Sequence, residues 1–488
     1  RDFFDQRYPN SQNYGAYTWR RGDQCKWETD VLYKIGTSQR RANFAKFPDE
    51  SEDAKRCKEQ FSEARDYLFP TRDDETIHKS LQFYAKSARA RIPVERRESA
   101  RASLSAKYPA FEPRFEANLD EAYDKIASQI KRDASPGFPW CEFGKTNGEV
   151  LDGYGEVLKE AFKERVCKFA DAAEFGEELM SLLREFPELA VQCGLCDPKR
   201  PHVKNEPHPS RKIDTPRLIM APSLLDQMVE RYYFTDIVVA VKSAFPDAPG
   251  MLGIGQSDQL ITLTCMAIMA KSEKTEAELT ASDVSGWERH TDGTSLDNGS
   301  RLMGDLARGD DAPLFKRVAV VWAAVNANAI YILAGILLAK LDSALMPSGT
   351  FLTTLMNCIM RGLFAEAAGN DSKTVGDDCL EWSMDPKSTV ELYRSWGLVV
   401  RDVTVFPRGG RQFIFCSHEY DARSWPFTSK LLTWAKMIYK FANSGMKTLE
   451  KVVSLRRELQ HNEVDLREKV IEFANTCEII YPGGVDIH

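Results

Sequence analysis

Two adjacent acids follow a glycine, between apolar flanks, in Thr374-Val375-Gly376-Asp377-Asp378-Cys379. That pattern predicts a hairpin whose tight turn presents carboxylates at its tip. Gly and Asp are also ordinary turn residues, so the triplet by itself reads more readily as a plain turn. A second acidic pair, Asp283 and Glu288, lies in Asp283-Val284-Ser285-Gly286-Trp287-Glu288 and follows Glu278-Leu279-Thr280-Ala281-Ser282, which reads as a short strand. An acid at a strand end, a turn and then another acid suit a metal ligand with a polar reader beside it. The competing reading is an Asp that caps a helix.

Ser348-Gly349, Thr353 and Asn357 form a third constellation. Glycine permits a flexible loop, and a following helix sets Thr353 and Asn357 on one face. Small polar side chains there suit a ribose hydroxyl, or simply a loop with Ser348 as helix cap. A fourth is the basic stretch Lys199, Arg200, Lys204, Arg211, Lys212 and Arg217, with His202 and His208. Cations clustered in an acidic protein imply an anionic ligand, and a triphosphate fits; the alternative is a solvated surface loop. Cys193-x-x-Cys196 with the two histidines matches no common zinc-finger spacing, so packing thiols are the default.

Much scaffold surrounds these groups. The chain has 488 residues, 43% of them hydrophobic, which predicts two or three subdomains. A net charge of −7 argues against a protein that coats nucleic acid over its whole surface, but a local basic channel remains compatible. Eleven cysteines without framework spacing read as reduced thiols. Arg1 stands first, without a signal peptide, as in a processed product or a trimmed boundary. The apolar run 318–339 is long enough for a membrane span, but Asn326, Asn328 and Gly335 favour a helix followed by a strand-turn-strand hairpin. Helical spacing marks 74–88, 115–130, 157–186, 224–241 and 258–270. The loop Ser135-Pro136-Gly137-Phe138-Pro139-Trp140 reads as a rigid turn with exposed backbone. From Leu279 the texture runs strand, helix, hairpin, helix, hairpin, helix, strand, and 431–477 is mostly helical. The class is α+β, with helices outside a small antiparallel sheet.

Taken in order, these signals resemble the polymerase palm of positive-strand RNA viruses. Asp283…Glu288 resembles motif A, Ser348-Gly349-x-x-x-Thr353-x-x-x-Asn357 motif B, and Gly376-Asp377-Asp378 motif C. Lys204-Asn205-Glu206 with Lys212 and Arg217 is similar to motif F, and Ser135-Pro136-Gly137-Phe138-Pro139 to motif G. Val203-Lys204-Asn205-Glu206-Pro207-His208, Leu224-Leu225-Asp226-Gln227-Met228-Val229-Glu230-Arg231 and Phe415-Cys416-Ser417-His418 look like the sobemovirus, polerovirus and barnavirus group. The likeness spans about Ser135 to His418.

That resemblance implies a right-hand RNA-dependent RNA polymerase. It divides the chain into fingers (1–217 and 245–277), palm (218–244 and 278–420, with a finger hairpin near 329–340) and thumb (421–488). Asp283, Asp377 and Asp378 become metal-binding and catalytic. Lys204, Glu206, Lys212, Arg217, Glu288, Ser348, Gly349, Thr353 and Asn357 become nucleotide-binding. Ser135, Pro136, Gly137, Cys416 and Ser417 become RNA contacts. Two Mg²⁺ ions, replaceable by Mn²⁺, are implied as cofactors. Implied partners are template and nascent RNA, nucleoside triphosphates, a genome-linked protein as candidate primer, and viral or host replication proteins, with membrane association not through a span. The implied location is the host cytoplasm at replication complexes, or the virion. Two departures stand out: Glu288 occupies a position where the group has Asp, and Arg401 lies where polymerases often place lysine, leaving the proton donor to pyrophosphate unassigned. Competing functions are a non-catalytic RNA-binding or membrane-anchored scaffold, a reverse transcriptase and a metal-dependent nuclease.

Overall fold

A computed structural model describes residues 17–21, 25–39, 50–176, 178–342, 344–445 and 447–477. Its centre is a four-stranded antiparallel sheet of β1 (Glu278–Val284), β2 (Asp371–Val375), β3 (Asp378–Ser383) and β4 (Val400–Val405), in the order β2-β3-β1-β4. Three further strands, β5 (Gln412–Phe415), β6 (His418–Asp421) and β7 (Thr428–Leu431), form a separate antiparallel sheet beside it. Alternation explains how the central sheet packs. Leu279, Leu380 and Trp382 face one way and join Ile261, Cys265, Phe413 and Tyr420 in a core. Thr280, Ser282 and Glu381 occupy the alternate positions, facing the helices Thr353–Ala367 and Pro386–Ser395.

The apolar run 318–339 divides as its asparagines and glycine predict. A helix covers Ala312–Ala327, and a hairpin pairs Tyr331–Leu333 with Ile336–Lys340 around Ala334 and Gly335, both at positive φ. Ile336–Lys340 also pairs with Leu32–Ser38, and Tyr17–Trp19 completes that sheet. Among the described residues, no helix is long and apolar enough to cross a membrane. Helices cover Asp74–Lys86, Leu119–Gln129, Leu224–Ser243 and Asp258–Glu273, close to the predicted spans. The C-terminal helices Trp434–Ala442, Leu449–Glu458 and Val464–Thr476 share their core with the helix Glu52–Gln60 through Ala54, Cys57 and Phe61. This N-terminal piece, counted with the fingers from sequence, is thus packed into the helical C-terminal layer; its partners lie hundreds of residues away in the chain.

One expectation fails. Pro136, Gly137, Phe138 and Pro139 are buried, and of the loop's three predicted contact residues only Ser135 is exposed. Gly137 has φ +66°, and a Cβ there would lie 2.4 Å from the Pro222 carbonyl oxygen. Glycine lets the backbone dock against Pro222–Ser223, and the Leu224 N–H donates to the Pro136 carbonyl at 2.7 Å. The loop's backbone is therefore used inside the protein.

Candidate active site

Val375 pairs with Asp378, so Gly376 and Asp377 form a two-residue turn between β2 and β3. Gly376 takes φ +63°, which L side chains rarely adopt. Asp283 arrives on β1, where Leu380 pairs with Ala281 and Trp382 with Leu279. The paired register ends at Ala281. Continued two residues toward the turn, it sets Asp378 opposite Asp283, and directly opposed Cβ atoms lie about 4.5–5.5 Å apart. Two carboxylates far apart in sequence thus meet at one sheet end, with Asp377 beside them in the turn.

The carboxylates repel one another. Desolvation raises the pKa of Asp377, and the charges of Glu288 and Asp283 add to this while Arg217 opposes it. Asp378 is pushed up to about 6 by desolvation, then by Asp377 and Asp283. The Asp378 side chain still opens to solvent. Asp283, Asp377 and Asp378 form no ion pair among the described residues. Nor do three carboxylate, imidazole or thiol groups among those residues converge closely enough to hold a metal ion unaided. That donor set still fits Mg²⁺, which takes one or two carboxylates plus substrate phosphates rather than an all-protein cage.

Cations face the acids. Arg217 forms an ion pair with Glu288 and lies 3.7 Å from Glu206. Glu206, buried, also receives Lys204 at 3.5 Å and Lys436 at 3.2 Å. Burial comes first in shifting Arg217, but Glu288, Glu206 and Asp377 outweigh it and hold the guanidinium pKa up. Lys212 feels Asp283, yet desolvation and the charges of Arg401 and Arg211 lower its pKa. His208 accepts the Arg217 backbone N–H through Nε2 at 3.0 Å, steadying the backbone that presents Arg217. Cys193 and Cys196 are buried thiols, and burial raises the Cys196 pKa.

The residues expected at the ribose are partly engaged by the protein itself. Asn357 Oδ1 accepts the Trp287 indole N–H at 2.7 Å, which ties the Glu288 segment to the Thr353–Ala367 helix and leaves the Asn357 amide as donor. Thr353 Oγ1 accepts the Gly349 N–H at 3.1 Å and donates to the Thr350 carbonyl at 2.8 Å, closing its own loop. Ser348 Oγ donates to the Leu218 carbonyl at 3.4 Å, and exposed Gly349 has φ +102°. Cys416 and Ser417 make the β5–β6 turn, both with positive φ; Ser417 is exposed, while burial holds the Cys416 thiol pKa well up beside Asp378 and Asp377.

Sequence reasoning missed Lys436, Cys358, Arg361 and Glu381. Cys358 Sγ accepts the Gly376 N–H at 3.2 Å, holding the acidic turn from behind. Arg361 and Glu381 pair beneath the sheet. A signal for both existed: each is a single charge inside an apolar run, Cys358-Ile359-Met360-Arg361-Gly362-Leu363 and Cys379-Leu380-Glu381-Trp382.

A sheet with acids at one end, ringed by helices, with cations facing the acids, defines the right-hand polymerase class. Solved structures agree on the fold: a Sicinivirus 3Dpol RNA-dependent RNA polymerase aligns with TM-score 0.62 at 12% identity, covering 93% of this chain and 97% of that one. A profile described as viral RNA-directed RNA polymerase matches residues 87–241. The replicase polyprotein P2AB of Cocksfoot mottle virus is 28% identical over 91% of this chain and 48% of its own length. The RNA-directed RNA polymerase of Mushroom bacilliform virus is 28% identical over 68% of this chain and 84% of its own. Protein P1-P2 of Potato leafroll virus is 29% identical over 75% and 35%. The chain spans about half or less of the length of the polyproteins it matches. In sequence and fold the chain is similar to the RNA-directed RNA polymerases of positive-strand RNA viruses, in the group of the sobemoviruses, poleroviruses and barnaviruses. Divalent-cation dependence goes with that family.

Proposed function

We propose that this chain joins ribonucleotides on an RNA template, with Asp283 and Asp377 at the reacting centre. The observation that carries the reading is the meeting of Asp283 with the Asp377–Asp378 turn, opposite Arg217. When bound, two Mg²⁺ ions would acidify the primer hydroxyl and offset charge on the departing pyrophosphate; Mn²⁺ is the expected substitute. Asp283 and Asp377 would hold them, with Asp378 as an outer ligand. The chain's own residues supply position and electrostatics, which are most of what phosphoryl transfer asks of a protein.

Arg217 is the bidentate clamp for the triphosphate, with Lys204 and Lys212 beside it. Glu206 orients those cations through its contacts with Lys204, Lys436 and Arg217. Glu288, with Ser348, Thr353 and the Asn357 amide, forms the reader of the 2′-hydroxyl. Gly349 gives that loop freedom to shift as template advances. Ser135 and Ser417 are the exposed candidates for RNA contact. Template and nascent RNA and nucleoside triphosphates are the ligands, and viral or host replication proteins the expected company.

Primer extension tests this. Asp377→Ala is expected to abolish nucleotide addition while RNA binding persists; extension at a near-parental rate would remove the assignment.

A further inference from the structure

Arg361 is the one charged residue among the buried positions of the Thr353–Ala367 helix, and its side chain is 0% exposed; Glu381 is 2% exposed. A guanidinium buried so deeply must be met by charge and hydrogen bonds. Arg361 Nη2 donates to Glu381 Oε1 at 2.5 Å and to Ser282 Oγ at 2.6 Å. Ser282 Oγ lies 3.4 Å from the same Glu381 oxygen, to which it donates. The other oxygen, Oε2, accepts from the Tyr393 hydroxyl at 2.5 Å and from the Asn370 amide at 3.1 Å. The guanidinium lies over the Tyr393 ring, 5.1 Å from its centroid.

The placement of these groups matters more than their number. Ser282 is the residue before Asp283 on β1. Glu381 is on β3, which begins with Asp378. Arg361 sits one helical turn beyond Asn357 and Cys358, and Cys358 receives the Gly376 N–H. A single helix therefore grips the acidic turn at one point and both acid-bearing strands at another. A buried ion pair adds little net stability over a well-packed apolar pair, so stability alone does not call for one here. Directional bonds from one nitrogen to two strands set their relative position, which apolar contact does not.

We infer that Arg361 is a positioning residue for nucleotide addition: bridging Ser282 on β1 and Glu381 on β3, it fixes the separation of Asp283 from the Asp377–Asp378 turn. The inference rests on the polymerase reading above. Arg361 touches no substrate, so its loss should slow the reaction without weakening binding.

The test uses the full chain in single-nucleotide primer extension, with RNA affinity and thermal midpoint measured alongside. The double variant Arg361→Met with Glu381→Gln buries no charge, and the glutamine oxygen still accepts from Tyr393 and Asn370. It is expected to hold its midpoint, RNA affinity and KM for nucleotide near parental values while kcat falls at least about tenfold, since small misplacement of reacting groups is costly. Ser282→Ala cuts only the bridge to β1 and is expected to lower kcat several-fold at unchanged KM and midpoint. If the double variant folds with parental kcat, or Ser282→Ala leaves kcat unchanged, the role is overturned although the chain remains a polymerase. A parental chain that makes no RNA overturns the polymerase reading itself.

Discussion

One face and one end of the central sheet use charge in opposite ways. On the face toward the Thr353–Ala367 helix, Arg361 and Glu381 are buried, and each Glu381 oxygen is met by donors. At the sheet end, Asp283 lies close enough to Asp377 and Asp378 for their charges to interact, and none of the three has an ion-pair partner among the described residues. Compensated charge holds strands in place. Charge left mutually repulsive, with Asp378 pushed up to about 6, is a site that gains by taking a cation. The face is built so that the end need not relax.

The contrast can be broken at several points. The largest effect is expected at the repulsive end: Asp283→Asn and Asp377→Asn should each lower extension by at least about 10³-fold, and the double variant should be little worse, because the two act as one unit. Additive losses in single-turnover rates would deny that they share a site. Next comes the compensated face. Glu381→Ala leaves Arg361 buried without its counter-charge and should cost about 3–5 kcal/mol in denaturant unfolding; a loss below about 1 kcal/mol would mean the pair is solvated, as surface pairs are.

Arg217→Ala should raise the KM for nucleotide about tenfold or more, the scale of a lost charge-assisted bond, with a smaller change in kcat. An unchanged KM would take Arg217 out of the clamp. The smallest effect concerns pH. The native pKa of Asp378, about 6, lies above the unfolded value, so the native state keeps a proton that the unfolded chain has lost. Without metal, stability should therefore decline as pH rises from about 4 to about 6, then level off. Because Asp378 opens to solvent, screening limits this to roughly 1 kcal/mol. Asp378→Asn should flatten that slope in chemical denaturation, and an identical slope in parent and variant would place its source elsewhere.

What could be read from the chain and what could not divide along the range of the forces involved. The acidic hairpin, the Thr353 helix and the Ala312–Ala327 helix with its hairpin were legible because local periodicity and turn chemistry act over a few residues. Long-range docking was not. Burial of Pro136 and Gly137 depends on Pro222, and the position of Glu52–Gln60 depends on the C-terminal helices. Arg361 and Glu381 are single charges in apolar runs that the sequence reading passed over, and nothing in either run names its partner.

The amino-acid order by itself determined which carboxylates sit at a turn and a strand end, which stretch is basic, and which segments alternate or recur with helical spacing. Only the tertiary structure decided that Asp283 comes near Asp377 and Asp378, that Arg217 pairs with Glu288 and Glu206, and that Arg361 reaches Ser282 and Glu381. Backbone geometry and turn preference are properties of neighbouring residues, whereas charge pairing and burial depend on distances that exist only once the whole chain has packed.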